Sequence, residues 1–199
     1  MALTSTMIRF QIKVSDVDRG LYETLELRVA KHPSESEPFF FMRIIAYVLN
    51  FQEGIEFSGG IGSPDDPSVF IKDLTGQMLT WIDIGNPSGK RLHKAGKVAK
   101  NVRVYTYRDP KILLDELSHE EVYKKEAIGL YSLPPKFMNS LVETLMKDNQ
   151  WEFLQNEGEL SITVNDKIFS TELTQHRIYT KGTTKGTASF WFVSLVKRG

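Results

Sequence analysis

The stretch Pro64–Lys97, PDDPSVFIKDLTGQMLTWIDIGNPSGKRLHKAGK, decides the reading of this chain. Val69–Lys72 is short and apolar, Leu74-Thr75-Gly76 is a turn, and Met78–Ile84 is rich in β-branched and aromatic residues. Two such runs around a glycine-containing turn predict a β-hairpin. Gly85-Asn86-Pro87 ends the second strand, and Pro87 or Ser88 opens a helix that runs to about Lys100. In a hairpin turning at 74–76, partner residues have numbers that sum to about 150. Asp83 then falls opposite Pro67 with Asp66 just beyond it, while Asp73 lies at the other end. Asp65 is the alternative to Asp66.

Working outward, Ile8, Phe10, Ile12 and Val14 alternate with polar residues, and so do Leu25, Leu27 and Val29. Period two predicts two strands, and the Asp- and Gly-containing turn between them makes a hairpin. Ser34 with Glu37 resembles a capping box, and Phe40, Phe41, Ile44, Ile45, Val48 and Leu49 follow at helical spacing. The spacing predicts a buried helix over 34–51. Ile55–Ser58 reads as a short strand, and Val102–Tyr105 as another.

The second half predicts a helix over Ile112–Leu117 and a strand over Ala127–Leu133. A helix opens at Pro134-Pro135 and carries Phe137, Leu141, Leu145 and Met146. Short strands follow at Trp151–Gln155, Leu160–Val164 and Ile168–Leu173. Residues 1–180 read as one domain. Residues 181–199 read as a linker-like tail with a short apolar run, ASFWFVSLV.

The 199 residues suffice for one domain with a full core, and the formal net charge is zero. A nucleic-acid site must therefore be a local patch. There is no cysteine, which removes disulfides, thiolate catalysis and cysteine-ligated metals. Arg9, Gln11 and Lys13 interrupt the N-terminal apolar run, so no signal peptide is expected, and no run approaches a membrane span. The expectation is a soluble cytoplasmic protein.

Two carboxylates at one hairpin end can hold Mg²⁺ or Mn²⁺, hard cations that take oxygen ligands and activate water for phosphodiester cleavage. Asp66 and Asp83 are the candidate ligands, with Glu35 completing the acidic cluster. Asp83 stands out because a charge on an apolar strand costs free energy unless it is paired. The acids of a PDDP loop equally suit a solvated turn. Lys90, Lys94 and Lys97 fall at i, i+4 and i+7, with Arg91 beside them and no acid from Lys90 to Lys100. That stripe suits phosphate contacts with DNA or RNA through Arg91, Lys94 and Lys97, or a solvated face. His32, His93, His119 and His176 make no zinc-binding spacing, and no phosphate-loop or nucleophile-elbow motif is present.

LRVAKHPSES, PSVFIKDLTG, WIDIGNP, KRLHKA and VRVYTY occur in this order, and through them the chain resembles the bacterial YaeQ family over most of residues 1–180. The resemblance implies a variant of the PD-(D/E)XK restriction-endonuclease-like fold: an α/β (α+β) protein with a central mixed sheet flanked by helices and with added β-hairpins. It agrees with the helix–strand–strand–strand–helix–strand order read above. It also implies that the first acid falls within Asp65-Asp66-Pro67, the second on Asp83 and the helix acid on Glu35. The superfamily's lysine position, two residues after Asp83, is Gly85. Lys94 from the following helix is then the substitute. The functional expectation is a Mg²⁺-dependent nuclease-like protein with Glu35, Asp66, Asp83 and Lys94 as catalytic residues. The alternative is a non-catalytic module that binds nucleic acid or protein on a degenerate nuclease core.

Overall fold

The helix α1 (Glu37–Leu49) has no wet face: every residue from Phe40 to Leu49 is buried. A helix that is apolar all round must be enclosed on every side. The computed structural model, which describes residues 5–59 and 66–179, encloses it between two mixed sheets.

The first sheet has five strands in the order β10-β9-β8-β1-β2. It comprises β1 (Thr6–Asp16), β2 (Leu21–Lys31), β8 (Asp148–Asn156), β9 (Glu159–Val164) and β10 (Lys167–Glu172). All neighbours are antiparallel except β1 and β8, which run parallel. Its inner face, including Phe10, Ile12, Trp151, Phe153 and Ile162, packs on α1. The period-two pattern thus placed the apolar side correctly. The N-terminal hairpin is not an addition to one central sheet; it joins with β8, β9 and β10 into this separate sheet.

The other sheet has six strands in the order β11-β7-β6-β5-β4-β3. These are β3 (Ile55–Phe57), β4 (Val69–Lys72), β5 (Met78–Ile84), β6 (Asn101–Thr106), β7 (Gly129–Ser132) and β11 (Thr174–His176). β3, β4 and β5 pair antiparallel, β5, β6 and β7 run parallel, and β11 returns antiparallel. Ile82 and Ile84 face α1, whereas Trp81, Val102 and Val104 face α2 (Gly89–Val98) and α3 (Pro110–His119). The helix α4 (Pro135–Val142) packs beside α1.

Several boundaries differ from the sequence reading for local reasons. Ser36, not Ser34, caps α1 by accepting from Phe39 N at 3.4 Å. Ser34 is engaged with His32 Nδ1 at 2.6 Å, so Glu35 precedes the helix. α4 stops short of Met146, because Asn149 bonds the Met146 backbone N–H and C=O and turns the chain into β8. The short polar strand β11 has no apolar periodicity to betray it. The predicted tail from Lys181 lies outside the described residues.

α2 carries two glycines on its buried side. A Cβ at Gly96 would lie 2.9 Å from the Tyr123 carbonyl oxygen, so the loop after α3 sits directly on the helix backbone. Alanine is favoured over glycine in a helix by about 1 kcal/mol. Gly96→Ala is nevertheless expected to destabilise the protein by about 1–3 kcal/mol, because a backbone atom must move. Urea unfolding measures this, and a stabilised variant would contradict the close approach.

His176 Nε2 meets Ser132 Oγ at 2.7 Å and ties β11 to β7. Burial lowers the His176 pKa below its ordinary 6.5. The unfolded chain therefore takes up this proton first as pH falls. The stabilisation is complete above the unfolded value and is lost as pH drops through the folded one. An NMR titration should place the His176 midpoint below 6.5.

Candidate functional site

The β4–β5 hairpin sets the geometry of the site. Val69 pairs with Ile82, Phe70 with Trp81 and Ile71 with Thr80, but Lys72 pairs with Met78. The irregularity at Ile71/Lys72 leaves Leu79 as an extra residue on β5. Beyond it the pairing sum rises by one, so the ladder sets Asp83 level with Ser68 rather than Pro67. Asp66 still lies at the same end of the hairpin as Asp83, and Asp73 is at the other. Asp73 is a turn former, accepting from Thr75 and Gln77, which hold its carboxyl below the usual range.

Asp83 points away from α1 to the side of Trp81 and α2. Its side chain is 2% exposed. Arg91, in the first turn of α2, donates from Nε to Oδ2 and from Nη2 to Oδ1, both at 2.7 Å. This is a two-pronged guanidinium–carboxylate pair, the strong form of the interaction. The same Nη2 donates to the Asp66 carbonyl at 2.6 Å, and the guanidinium lies 5.4 Å from the centre of the Trp81 ring. Ser88 caps α2, accepting from Arg91 N at 3.4 Å, and fixes the helix entry. Arg91 thus joins β5, the chain before β4, and α2.

Gly85, at the expected lysine position, has φ +83° and donates to the Tyr105 carbonyl. A lysine there would adopt a backbone conformation that side-chain-bearing residues rarely take. Lys94 and Lys97 are exposed on α2, as is Lys90. The cation that reaches Asp83 is Arg91, for which the sequence reading expected a phosphate.

Glu35 is elsewhere. It lies on the α1 side of the six-stranded sheet, opposite the face that holds Asp83. Its Oε1 is 3.2 Å from Arg43 Nε, and Arg43 Nη2 donates to Oε2 at 3.3 Å. His32 N also donates to Oε2. Arg43 Nη2 donates to the Ala30 carbonyl at 2.8 Å, and the guanidinium lies against Phe40 and Phe57. Burial pushes the Glu35 carboxyl up, opposed by the Arg43 charge. Burial also pulls the Arg43 pKa down, opposed by Glu35.

Glu35, Asp66 and Asp83 therefore do not make a common set of metal ligands. Among the described residues no group of three or more His, Cys, Asp or Glu side chains is placed to hold a metal ion. Asp65 lies outside the described residues. A hollow of about 820 Å³ over β1, β2 and β8 and another of about 540 Å³ beside the loop after α3 include none of these acids. Among the described residues, no helix is long and apolar enough to cross a membrane.

The sequence matches the YaeQ protein family model over residues 1–173. The chain belongs to the YaeQ family. The YaeQ proteins of Escherichia coli K12 and Salmonella typhi are 30% and 29% identical to it over 107 residues, 54% of this chain. The chain spans 59% of the length of those relatives. The crystal structure of YaeQ protein from Xanthomonas axonopodis pv. citri aligns with TM-score 0.82 at 22% identity, covering 88% of this chain and all of that one. That of YaeQ protein from Pseudomonas syringae aligns with TM-score 0.78 at 23% identity, covering 86% and 95%. The fold, with two mixed sheets and four α-helices among the described residues, is thus shared with these YaeQ structures.

The buried Glu35–Arg43 pair generates a stability prediction. Glu35→Leu leaves Arg43 buried without its carboxylate and should cost about 3–5 kcal/mol. Glu35→Leu with Arg43→Met should recover most of that loss. Denaturant melts of the two variants measure it, and equal losses in single and double variants would contradict the pairing.

Proposed function

We propose that this YaeQ-family chain is a nucleic-acid-binding module on a restriction-endonuclease-like core, with an acidic centre closed by its own arginine. The carrying observation is the two-pronged Asp83–Arg91 pair: the best-placed carboxylate is already neutralised by a cation of the same chain. The order α1–β3–β4–β5–α2–β6 supports the core assignment, since it repeats the helix–strand–strand–strand–helix–strand order of that fold. The binding surface is the outer side of α2. Lys90, Lys94 and Lys97 are exposed there within one helical stripe, and no acid occurs from Gly89 to Val98. Such a stripe meets phosphates, and its binding weakens as salt rises.

Fluorescence anisotropy with labelled single- and double-stranded DNA and RNA tests this across a salt series. Lys90→Ala/Lys94→Ala/Lys97→Ala should weaken binding and flatten the log–log salt slope for duplex DNA by roughly 2–3. Unchanged affinity and slope would sink the proposal. A second reading, Mg²⁺- or Mn²⁺-dependent phosphodiester cleavage, is favoured by Asp66 and Asp83 sharing one hairpin end, bridged by Arg91. It expects nuclease activity that Asp83→Asn abolishes. Absence of cleavage on all four substrates with either ion would dismiss it.

A further inference from the structure

β2 is an edge strand of eleven residues, and among the described residues its one strand neighbour is β1. The backbone groups on its far side form a template for another strand. Its charges are ordered: Glu23 and Glu26 lie in the first half, Arg28 and Lys31 in the second. The β1 register sets Glu23 opposite Val14, Glu26 opposite Gln11, Lys31 opposite Thr6 and Arg28 opposite Arg9. None of the four faces an opposite charge across β1. Arg28 faces a like charge, which is unfavourable, and Arg9 is already paired with Asp148 on its other side. Lys31 lies near Glu35, so Glu26 and Arg28 carry the argument.

We propose that β2 pairs antiparallel with β2 of a second copy of this chain, about a two-fold axis at Leu27. In that register Glu26 stands opposite Arg28 of the other copy and Glu23 opposite Lys31, each pair occurring twice. Leu25 stands opposite Val29, and Leu27 opposite its own copy, on the face that is apolar within each chain. The two five-stranded sheets become one of ten strands. Sliding the pairing to the next register that keeps both faces matched sets Glu26 opposite itself in one direction and Arg28 opposite itself in the other. The charge order therefore selects one self-complementary register. Edge charges ordinarily guard against pairing; here their opposite signs are arranged to attract across a closed two-fold interface.

Sedimentation equilibrium of the whole protein tests this. The wild type should give twice the chain mass at micromolar concentration. Arg28→Glu should raise the dimer dissociation constant roughly tenfold or more. It also removes the like-charge contact with Arg9, so the monomer fold is preserved, which circular dichroism checks. Glu26→Arg/Arg28→Glu exchanges the signs and should restore the dimer. In the wild type, β2 amides should gain protection from hydrogen exchange as concentration rises. A wild type that stays monomeric at high micromolar concentration overturns the proposal. So does a dimer indifferent to Arg28→Glu, or a charge exchange that fails to restore it.

Discussion

The structure depends on enclosing a helix that has no side left for water. α1 is buried from Phe40 to Leu49, so its ends and its one buried charge must be satisfied by protein. At the N-terminal end Ser36 caps the helix, and Glu35 and the Ala30 carbonyl receive Arg43. At the C-terminal end Arg19, held by the buried Asp16, donates to the Val48 and Phe51 carbonyls. Asn50 donates to the Ala46 carbonyl and the Tyr105 hydroxyl. Burial pushes that phenol up to about 12, so it stays neutral and can both donate and accept. The turn between β1 and β2 thus closes one end of the helix and the end of β2 closes the other. This is why the N-terminal hairpin belongs to the core.

Enclosing α1 also separates the acids. A strand presents alternate residues to opposite faces. Ile82 and Ile84 must face α1, which obliges Asp83 to face α2. Glu35, tied to Arg43, is on the α1 side. The sheet between them has apolar packing on both faces, and the two carboxylates pair with different arginines on its opposite sides. The consequence is chemical. Glu35 and Asp83 each need a cation, each receives an arginine from an adjacent helix, and the α2 lysines remain at the surface.

Much of the fold was legible in the sequence. Alternation located β1 and β2 and their buried sides, and apolar runs around a glycine-containing turn located β4 and β5. The run of apolar residues identified α1 as enclosed, and the turn Leu74–Gly76 put Asp66 and Asp83 at one end. The extra residue at Leu79 could not be read, because a bulge depends on how the partner strand packs. The parallel pairing of β1 with β8 joins segments well over a hundred residues apart. Local periodicity states that each has a wet side and a dry side, and is silent on which strands meet.

The candidate site divides along the same line. By itself the sequence determined that Asp83 is a charge on an apolar strand in need of a partner, and that a basic helix follows it. Gly85, rather than lysine, was equally plain, and its positive φ supplies the reason. The choice of partner belonged to the tertiary structure. Ser88 caps α2 so that its first turn returns Arg91 over Trp81 to Asp83, while Ser36 starts α1 late enough for Glu35 to meet Arg43. Pairing of buried charges is decided by distance and direction between elements, and spacing along the chain encodes neither.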